Sequence, residues 1–461
     1  MTNARYNLDE PVAAVATALS PSALGIVRAS GNGCIEKVAE IFSRPKALKE
    51  AAGNTIVYGW ILDKNRGTKI DEVLVSVFRG PKSFTGEDMC EISCHGGVSV
   101  VTGVFEALLQ NGFRQAERGE FTFRAYINGK ADLTRAEAVQ EIIGSKTADS
   151  RSHAADRLSG SLFEEIDSIK TLVTDTLAAI EVDIEYPEDE ETIADSFDPA
   201  MLENARNRLS ELVSSWKSEK IYQDGAKIVL AGKTNAGKSS LFNALLKEDR
   251  SIVSDIEGTT RDWIESWVSF DGIPARLFDT AGLRKTDDII EAKGVELTED
   301  LASQADLILY LIDLTRGISD SDRDFLQKNK EIPVVVVFNK ADLSSENPDL
   351  SLLELKNSVK LSAKKGNGIG ELAALVRKIL LGNSTPGAEK TGLGSERQKK
   401  SVVQALERVE HALQTARDET YGLDAVVQDL EDCLDSLGEV TGEVTPDDVL
   451  GSIFSHFCVG K

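Results

Sequence analysis

The octapeptide Gly232-Lys233-Thr234-Asn235-Ala236-Gly237-Lys238-Ser239 is a complete phosphate-binding loop of the form G-x-x-x-x-G-K-[ST], and it demands a strand before it and a helix after it. Both flanks comply. Lys227-Ile228-Val229-Leu230-Ala231 reads as a buried strand, and Leu241-Phe242-Asn243-Ala244-Leu245-Leu246 as the opening turns of a helix. The glycines let backbone N–H groups wrap phosphates, while the helix N-terminus adds a favourable partial charge. Lys238 is expected to reach the β and γ phosphates, and the Ser239 hydroxyl to hold Mg2+. A single match of this length can arise by chance, so the surrounding chain has to decide.

Three further elements follow in the required order. Ala275-Arg276-Leu277-Phe278 is a short strand ending in Asp279-Thr280-Ala281-Gly282, which puts Asp279 near the metal and the Gly282 N–H near a γ-phosphate. Pro333-Val334-Val335-Val336-Val337-Phe338 is a buried strand by its unbroken apolar run, and it ends in Asn339-Lys340-Ala341-Asp342. A carboxylate at Asp342 can accept both N1–H and N2–H2 of guanine. Adenine offers no such pair, so GTP is expected over ATP. Val359-Lys360-Leu361-Ser362-Ala363-Lys364 supplies a last strand and the loop over the base. Together these define a G domain.

With 461 residues the chain has room for about three domains. Hydrophobic content of 41% and charged content of 28% suit a soluble protein. No segment reads as a membrane span, and Met1 to Pro11 lacks a signal-peptide pattern. Five cysteines in no disulfide-like framework fit a reducing compartment, so a cytoplasmic location and no membrane partner are expected. Cys90-Glu91-Ile92-Ser93-Cys94-His95 permits a zinc reading, but the plainer one is a strand packing two small thiols. The formal charge of −24 repels phosphate backbones. Any RNA contact must therefore use a local basic patch or a partner protein.

The chain reads as multidomain. Residues 1–128 mix short β-like runs (Val12 to Thr17, Gly25 to Arg28, Val73 to Phe78, Cys90 to Cys94) with a helix around Val98–Gln110, an α+β domain. Residues 129–224 turn helical: Leu158, Leu162, Ile166, Ile169, Val173, Leu177, Ile180 and Ile184 repeat at three- and four-residue steps. Leu202, Ala205, Leu209, Leu212 and Trp216 mark a second helix. The G domain spans 225–383. Residues 384–461 open with a Gly/Ser/Thr/Pro-rich linker, Thr385 to Ser395, and return to helical periodicity at Val402, Leu406, Val409, Leu413, then Val426, Leu430, Leu434 and Leu437. The simplest packing joins the helices on either side into one discontinuous helical bundle with the α/β P-loop G domain inserted. The acidic run Glu188-Asp189-Glu190-Glu191 is expected to be a solvated loop.

Beyond the nucleotide motifs, Ser83-Phe84-Thr85-Gly86-Glu87-Asp88, His95-Gly96-Gly97, Gly119-Glu120-Phe121-Thr122-Phe123-Arg124-Ala125, Asn128-Gly129-Lys130 and the terminal Phe457-Cys458-Val459-Gly460-Lys461 stand out. With these segments the chain resembles, over nearly its whole length, the MnmE (TrmE) family of GTPases that modify the wobble uridine of certain tRNAs. The resemblance implies a homodimer formed through the N-terminal domain, which would bind a tetrahydrofolate one-carbon donor (5,10-methylene or 5-formyl). Arg28, Glu87, Lys130 and Lys461 match the folate contacts. It also implies a flavoprotein partner, MnmG (GidA), which would carry the FAD, and a carboxymethylaminomethyl-type group added at C5 of uridine. Cys458 matches a functional cysteine of the family and is expected near the folate, beside Lys461. A prenylation box fits the terminal Gly460 and Lys461 poorly, and a frayed inert tail is the plain alternative.

For the nucleotide step, Leu283 follows Gly282 where many small GTPases carry a water-orienting glutamine. The resemblance points instead to Glu291 acting on the water and to a K+ ion in place of an arginine finger. Asn235, Ser254, Ile256 and Thr259 match the K+ positions, and Thr260 joins Ser239 on Mg2+. The matching GTP site comprises Asn235, Ala236, Gly237, Lys238, Ser239 and Ser240; Ser254, Asp255, Ile256, Glu257, Gly258, Thr259 and Thr260; Asp279, Thr280, Ala281 and Gly282; Asn339, Lys340, Ala341 and Asp342; and Ser362, Ala363 and Lys364. Lys233-Thr234, Ser254 and Arg135 depart from the usual family residues without removing a required donor. The competing reading is a ribosome-assembly or RNA-binding GTPase switch resembling Era or Der, which would not need the first 128 residues or the terminal cysteine. A scaffold that only binds nucleotide is weaker still, because every phosphate and base motif is intact.

Overall fold

Buried and more exposed positions alternate along strands of the first sheet, whereas the central strands of the second are apolar and buried almost throughout. In the computed structural model the described residues are 6–185, 199–248, 264–279, 304–343, 357–382, 391–417 and 423–461. Strands β1 (Val12–Val15), β2 (Leu24–Ser30), β3 (Thr55–Asp63), β4 (Thr68–Phe78), β5 (Met89–His95) and β6 (Arg114–Gln115) lie in the order β3-β4-β5-β2-β1-β6. All neighbours pair antiparallel except β1 and β6. Val73, Val75 and Val77 of β4 face inward with Val27, Ala29, Ile61 and Ile92, and helices α1 (Cys34–Glu40), α2 (Pro45–Lys49) and α3 (Val98–Gln110) close that side. The opposite face leaves Leu24, Ile56, Tyr58 and Leu74 exposed.

Helices α4 (Glu120–Ile127), α5 (Leu133–Gly144), α6 (Ala148–Ser159), α7 (Ser161–Glu185) and α8 (Pro199–Asp224) follow. The periodic series from Leu158 to Ile184 is not one helix. Gly160 takes a left-handed φ of 112° and ends α6, so Leu158 is exposed while Leu162, Ile166, Ile169 and Val173 are fully buried on α7. All five positions expected for the second helix are buried on α8.

The second sheet has the order β12-β11-β10-β7-β9-β8, from β7 (Ala226–Gly232), β8 (Ile264–Phe270), β9 (Ile273–Asp279), β10 (Leu307–Asp313), β11 (Val334–Asn339) and β12 (Ser358–Lys360). Only β8 runs antiparallel to its neighbour. Helices α9 (Lys238–Glu248), α10 (Asp320–Lys328) and α11 (Ile369–Leu381) cover it from separate clusters on its two faces, as a buried parallel sheet requires. Helices α12 (Glu396–Thr415), α13 (Leu423–Thr441) and α14 (Asp447–Ser455) complete the chain.

The chain divides into two compact units. One comprises Met1–Gln140, Ile166–Pro199 and Glu407–Lys461; the other comprises Glu141–Glu165 and Ala200–Leu406. Part of the expected linker is packed rather than loose. Leu393 is fully buried, the Gly394 N–H donates to Gln398 Oε1 at 2.6 Å, and a Cβ on Gly392 would lie 2.5 Å from Glu219. The earlier part of that linker and the acidic run at 188–191 lie outside the described residues.

Candidate nucleotide and terminal-cysteine sites

The phosphate loop joins the end of β7 to the start of α9, at the carboxyl edge of the parallel strands. Its backbone is set by positive φ values of 131° at Gly232, 61° at Asn235 and 101° at Gly237. Gly237 is obligatory for a second reason: a Cβ there would sit 2.1 Å from Asn339 Nδ2. Asn339, nearly buried, donates from Nδ2 to the Ala236 carbonyl at 2.9 Å. Its Oδ1 accepts the Ala363 N–H at 3.0 Å and the Lys340 N–H at 2.8 Å. One side chain therefore ties together the three loops named as phosphate- and base-binding.

Lys238 Nζ donates to the carbonyls of Gly232 at 2.6 Å and Lys233 at 3.0 Å, which holds its charge inside the loop. Ser239 Oγ donates to Asp279 Oδ2 at 3.1 Å. A hydroxyl and a carboxylate converging from α9 and β9 are hard oxygen donors and fit Mg2+. Lys233 Nζ donates to Ser319 Oγ and lies 3.7 Å from Asp322, which anchors the loop. The side chain of Asn235 is exposed, as is Ser240.

At the base end, Ser362 Oγ donates to Asp342 Oδ1 at 2.7 Å. That bond, with Lys365 and Lys364 nearby, holds the Asp342 carboxyl below its ordinary range despite some desolvation. Lys340, at φ 65°, donates from Nζ to Asp313 Oδ2 at 2.6 Å. Burial alone would raise the Asp313 carboxyl, but hydrogen bonds from Lys340 and Thr315 overcome it and hold it low. Ser254 to Thr260, Thr280 to Gly282 and Glu291 lie outside the described residues.

The second group forms around β2 and the chain's last residues. Arg28 Nε donates to Glu91 Oε1 at 2.8 Å across the β2–β5 pair, and its Nη1 donates to the Gly460 carbonyl at 3.0 Å. Its guanidinium lies 5.4 Å from the Phe84 ring centroid and 5.8 Å from that of Phe121. Phe457 is buried against Phe454, Val459 bridges Arg118, and Gly460 has φ 90°, where a Cβ would lie 3.0 Å from the Val15 carbonyl oxygen. The Gly119 N–H donates to the Cys458 carbonyl at 3.4 Å. The tail is docked, not frayed; Cys458 is exposed, and its carbonyl accepts the N–H of the half-buried Lys461 at 3.3 Å.

Glu87 accepts from Ser30 Oγ at 2.8 Å and from Arg124 Nη1 at 3.0 and 3.1 Å. Lys130 is exposed, with its stem against the same loop: a Cβ on Gly86 would lie 3.2 Å from its Cγ. Arg124 was not among the expected site residues. It is fully buried and also reaches Glu120 and the carbonyls of Asn7 and Glu10. The i,i+4 spacing of Glu120 and Arg124 on α4 was the available signal. The zinc alternative gains nothing here: Cys90 and Cys94 are buried on β5, and Cys94 Sγ donates to the Gly25 carbonyl at 3.4 Å.

Residues 133–458 match the model of the MnmE helical domain, and residues 11–130 match that of the GTP-binding protein TrmE N-terminus. A tRNA modification GTPase MnmE of Treponema denticola is 52% identical over 469 aligned positions, covering 99% of each chain. Proteins of the same description from Treponema pallidum and Borreliella burgdorferi are 43% and 40% identical, again over 99% of each chain.

Proposed function

Because this chain belongs to the MnmE family of tRNA modification GTPases, we propose that it uses GTP hydrolysis to drive modification of tRNA at C5 of the wobble uridine, drawing one carbon from a tetrahydrofolate. The docked tail carries this reading. It presents Cys458 in the unit that also holds Arg28, Glu87 and Lys130, the residues matched to folate contacts. A folate has a glutamate tail and a pterin edge with adjacent N–H donors. Arg28, Lys130 and Lys461 suit the first, and Glu87 suits the second. When bound, the folate supplies the one-carbon unit. The chain's own part is to bind and orient it and to offer the Cys458 thiol.

At the nucleotide, Lys238 and the loop N–H groups hold the phosphates, Ser239 and Asp279 converge as oxygen donors for Mg2+, and Asp342 selects guanine. Thr260 would join Ser239 on the Mg2+. Asn235, Ser254, Ile256 and Thr259 would hold K+, which would supply positive charge to offset the negative charge developing in the transition state. Glu291 orients the attacking water in place of the glutamine that Leu283 replaces.

The segments 129–224 and 384–461 form one helical domain around the G domain at 225–383, a division supported by a single family match that runs from 133 to 458. The exposed Leu24, Ile56, Tyr58 and Leu74 on one sheet face support a homodimer through residues 1–128. The flavoprotein MnmG, with its FAD, is the second component. The location is cytoplasmic; no helix among the described residues is long and apolar enough to cross a membrane.

Equilibrium binding of 5-formyltetrahydrofolate tests the folate site. Wild type should bind, and Glu87→Gln, which loses one charged acceptor, should bind at least about tenfold more weakly. Equal affinities would remove Glu87 from the site.

A further inference from the structure

In a chain of formal charge −24, five basic side chains gather on one surface of the N-terminal unit. Lys46 and Lys49 are exposed on α2, with Arg44 exposed just before it. Arg79 fastens this helix end to the strand system, donating from Nη2 to the Lys49 carbonyl at 2.7 Å and from Nε to the Ala51 carbonyl at 3.0 Å. Lys82 is exposed one turn later, its N–H on the Arg79 carbonyl at 2.9 Å. Arg44 Nη1 donates to the Tyr58 carbonyl at 3.2 Å, which fixes the other margin. Neither Lys49 nor Lys82 has an ion-pair partner among the described residues. Lys46 meets Glu50 only at 3.9 Å, with both side chains largely exposed.

We propose that Arg44, Lys46, Lys49, Arg79 and Lys82 form a docking surface for the phosphate backbone of the tRNA substrate. Clustered cations gain from releasing the counterions of a polyanion, and that gain can overcome repulsion from an acidic body only where the charges are concentrated. The position suits the chemistry. Arg79 and Lys82 open the loop that ends at Glu87, a loop braced by Ser83 Oγ on the Glu87 carbonyl at 2.6 Å and by the Gly80 N–H on Asp88 at 3.0 Å. A backbone held here lies at the start of the segment that carries Phe84 and Glu87. The contacts are to phosphate, so they position the RNA without reading its sequence.

The proposal rests on tRNA being the substrate, and its test separates binding from chemistry. Fluorescently labelled, unmodified tRNA is titrated with the full-length chain at several salt concentrations. Lys46→Glu/Lys49→Glu/Lys82→Glu should bind at least about tenfold more weakly, with a salt slope shallower by about two to three. Its GTP hydrolysis should be unchanged, which reports that it folds. The control Lys330→Glu/Lys378→Glu/Lys400→Glu makes the same charge change at exposed lysines of the other unit and should bind nearly as wild type does. Cys458→Ser should also bind normally, so its behaviour separates loss of this surface from loss of the chemistry above. Equal weakening by both triple variants assigns the effect to bulk charge and overturns the proposal. So does unchanged tRNA affinity accompanied by lost assembly with an acidic protein partner, or an absence of measurable tRNA binding by the wild type at low salt.

Discussion

Gly237 and Asn339 hold the nucleotide loop between them, and neither tolerates a small change. A methyl group at 237 meets Asn339 Nδ2 at 2.1 Å and also faces a φ of 101°. Gly237→Ala should therefore abolish GTP binding, measured with a fluorescent GTP analogue, while thermal unfolding shifts only modestly; near-normal affinity would contradict this geometry. Ser362 offers a subtler test. Its hydroxyl keeps the Asp342 carboxyl below the ordinary carboxylate range. The carboxylate form accepts guanine's donors, so wild-type affinity should persist as pH falls until the depressed pKa is reached. Ser362→Ala lets the pKa rise toward its ordinary value, so affinity should fade at a higher pH than in wild type. Coincident acid limbs would show that Ser362 does not set this pKa. Asn339 and Asp342 were legible in the sequence because their chemistry lies within four consecutive residues. Arg124 was not, since its partners at Glu87, Asn7 and Glu10 are distant in sequence and two of them are backbone carbonyls.

At the scale of elements, the residues 391–395 that read as a linker are held by a buried ion cluster. Arg157, nearly inaccessible, meets Glu219 at 2.7 Å and donates from Nε and Nη2 to Glu141 Oε2 at 2.9 and 2.5 Å, and its Nη1 also reaches the Gly392 carbonyl at 3.4 Å. Composition alone hides this, because glycines that permit close approach look the same as glycines that permit flexibility. A Cβ on Gly394 would lie 2.3 Å from Glu141 Oε1. Arg157→Leu leaves Glu219 buried without its cation and should cost about 3–5 kcal/mol in urea denaturation. The pH dependence follows from the sign of the shift. Burial raises the Glu219 pKa, but His153 and Arg157 outweigh it and hold it low. In wild type this group therefore stabilises near neutral pH, and the contribution is lost as pH falls through its depressed pKa. In the variant the lowering from Arg157 is gone and only His153 opposes burial, so the Glu219 pKa rises and the deficit relative to wild type should shrink on acidification. A deficit independent of pH would mean the loss is one of packing. Strands were legible where a motif marked their ends or apolar runs were long. β3 and β8 carry no nucleotide motif and interrupt their apolar runs, so their pairing in the sheets identifies them, whereas β10 is an apolar run with no motif at its end to name it. The break at Gly160 was missed because three- and four-residue periodicity continues across it.

For the whole molecule, the sequence made the inserted nucleotide-binding fold plain, since its motifs occur in fixed order. The terminal site was less so. Cys458, Arg28 and Glu87 are far apart in the chain, and the docking of the tail, with Gly460 on Arg28, Cys458 on Gly119 and Val459 on Arg118, brings the two ends together. If K+ serves as the cation beside the phosphates, GTP hydrolysis should be at least about tenfold faster in K+ than in Na+ at equal ionic strength. Equal rates would remove K+ from the account. The most direct test of the central claim is mass spectrometry of tRNA nucleosides from cells lacking this chain, complemented with wild type, Cys458→Ser or Gly237→Ala. The account predicts loss of the C5 wobble-uridine modification, restored by wild type and by neither variant. Nucleosides unchanged by the deletion would contradict it and turn attention to a ribosome-linked switch.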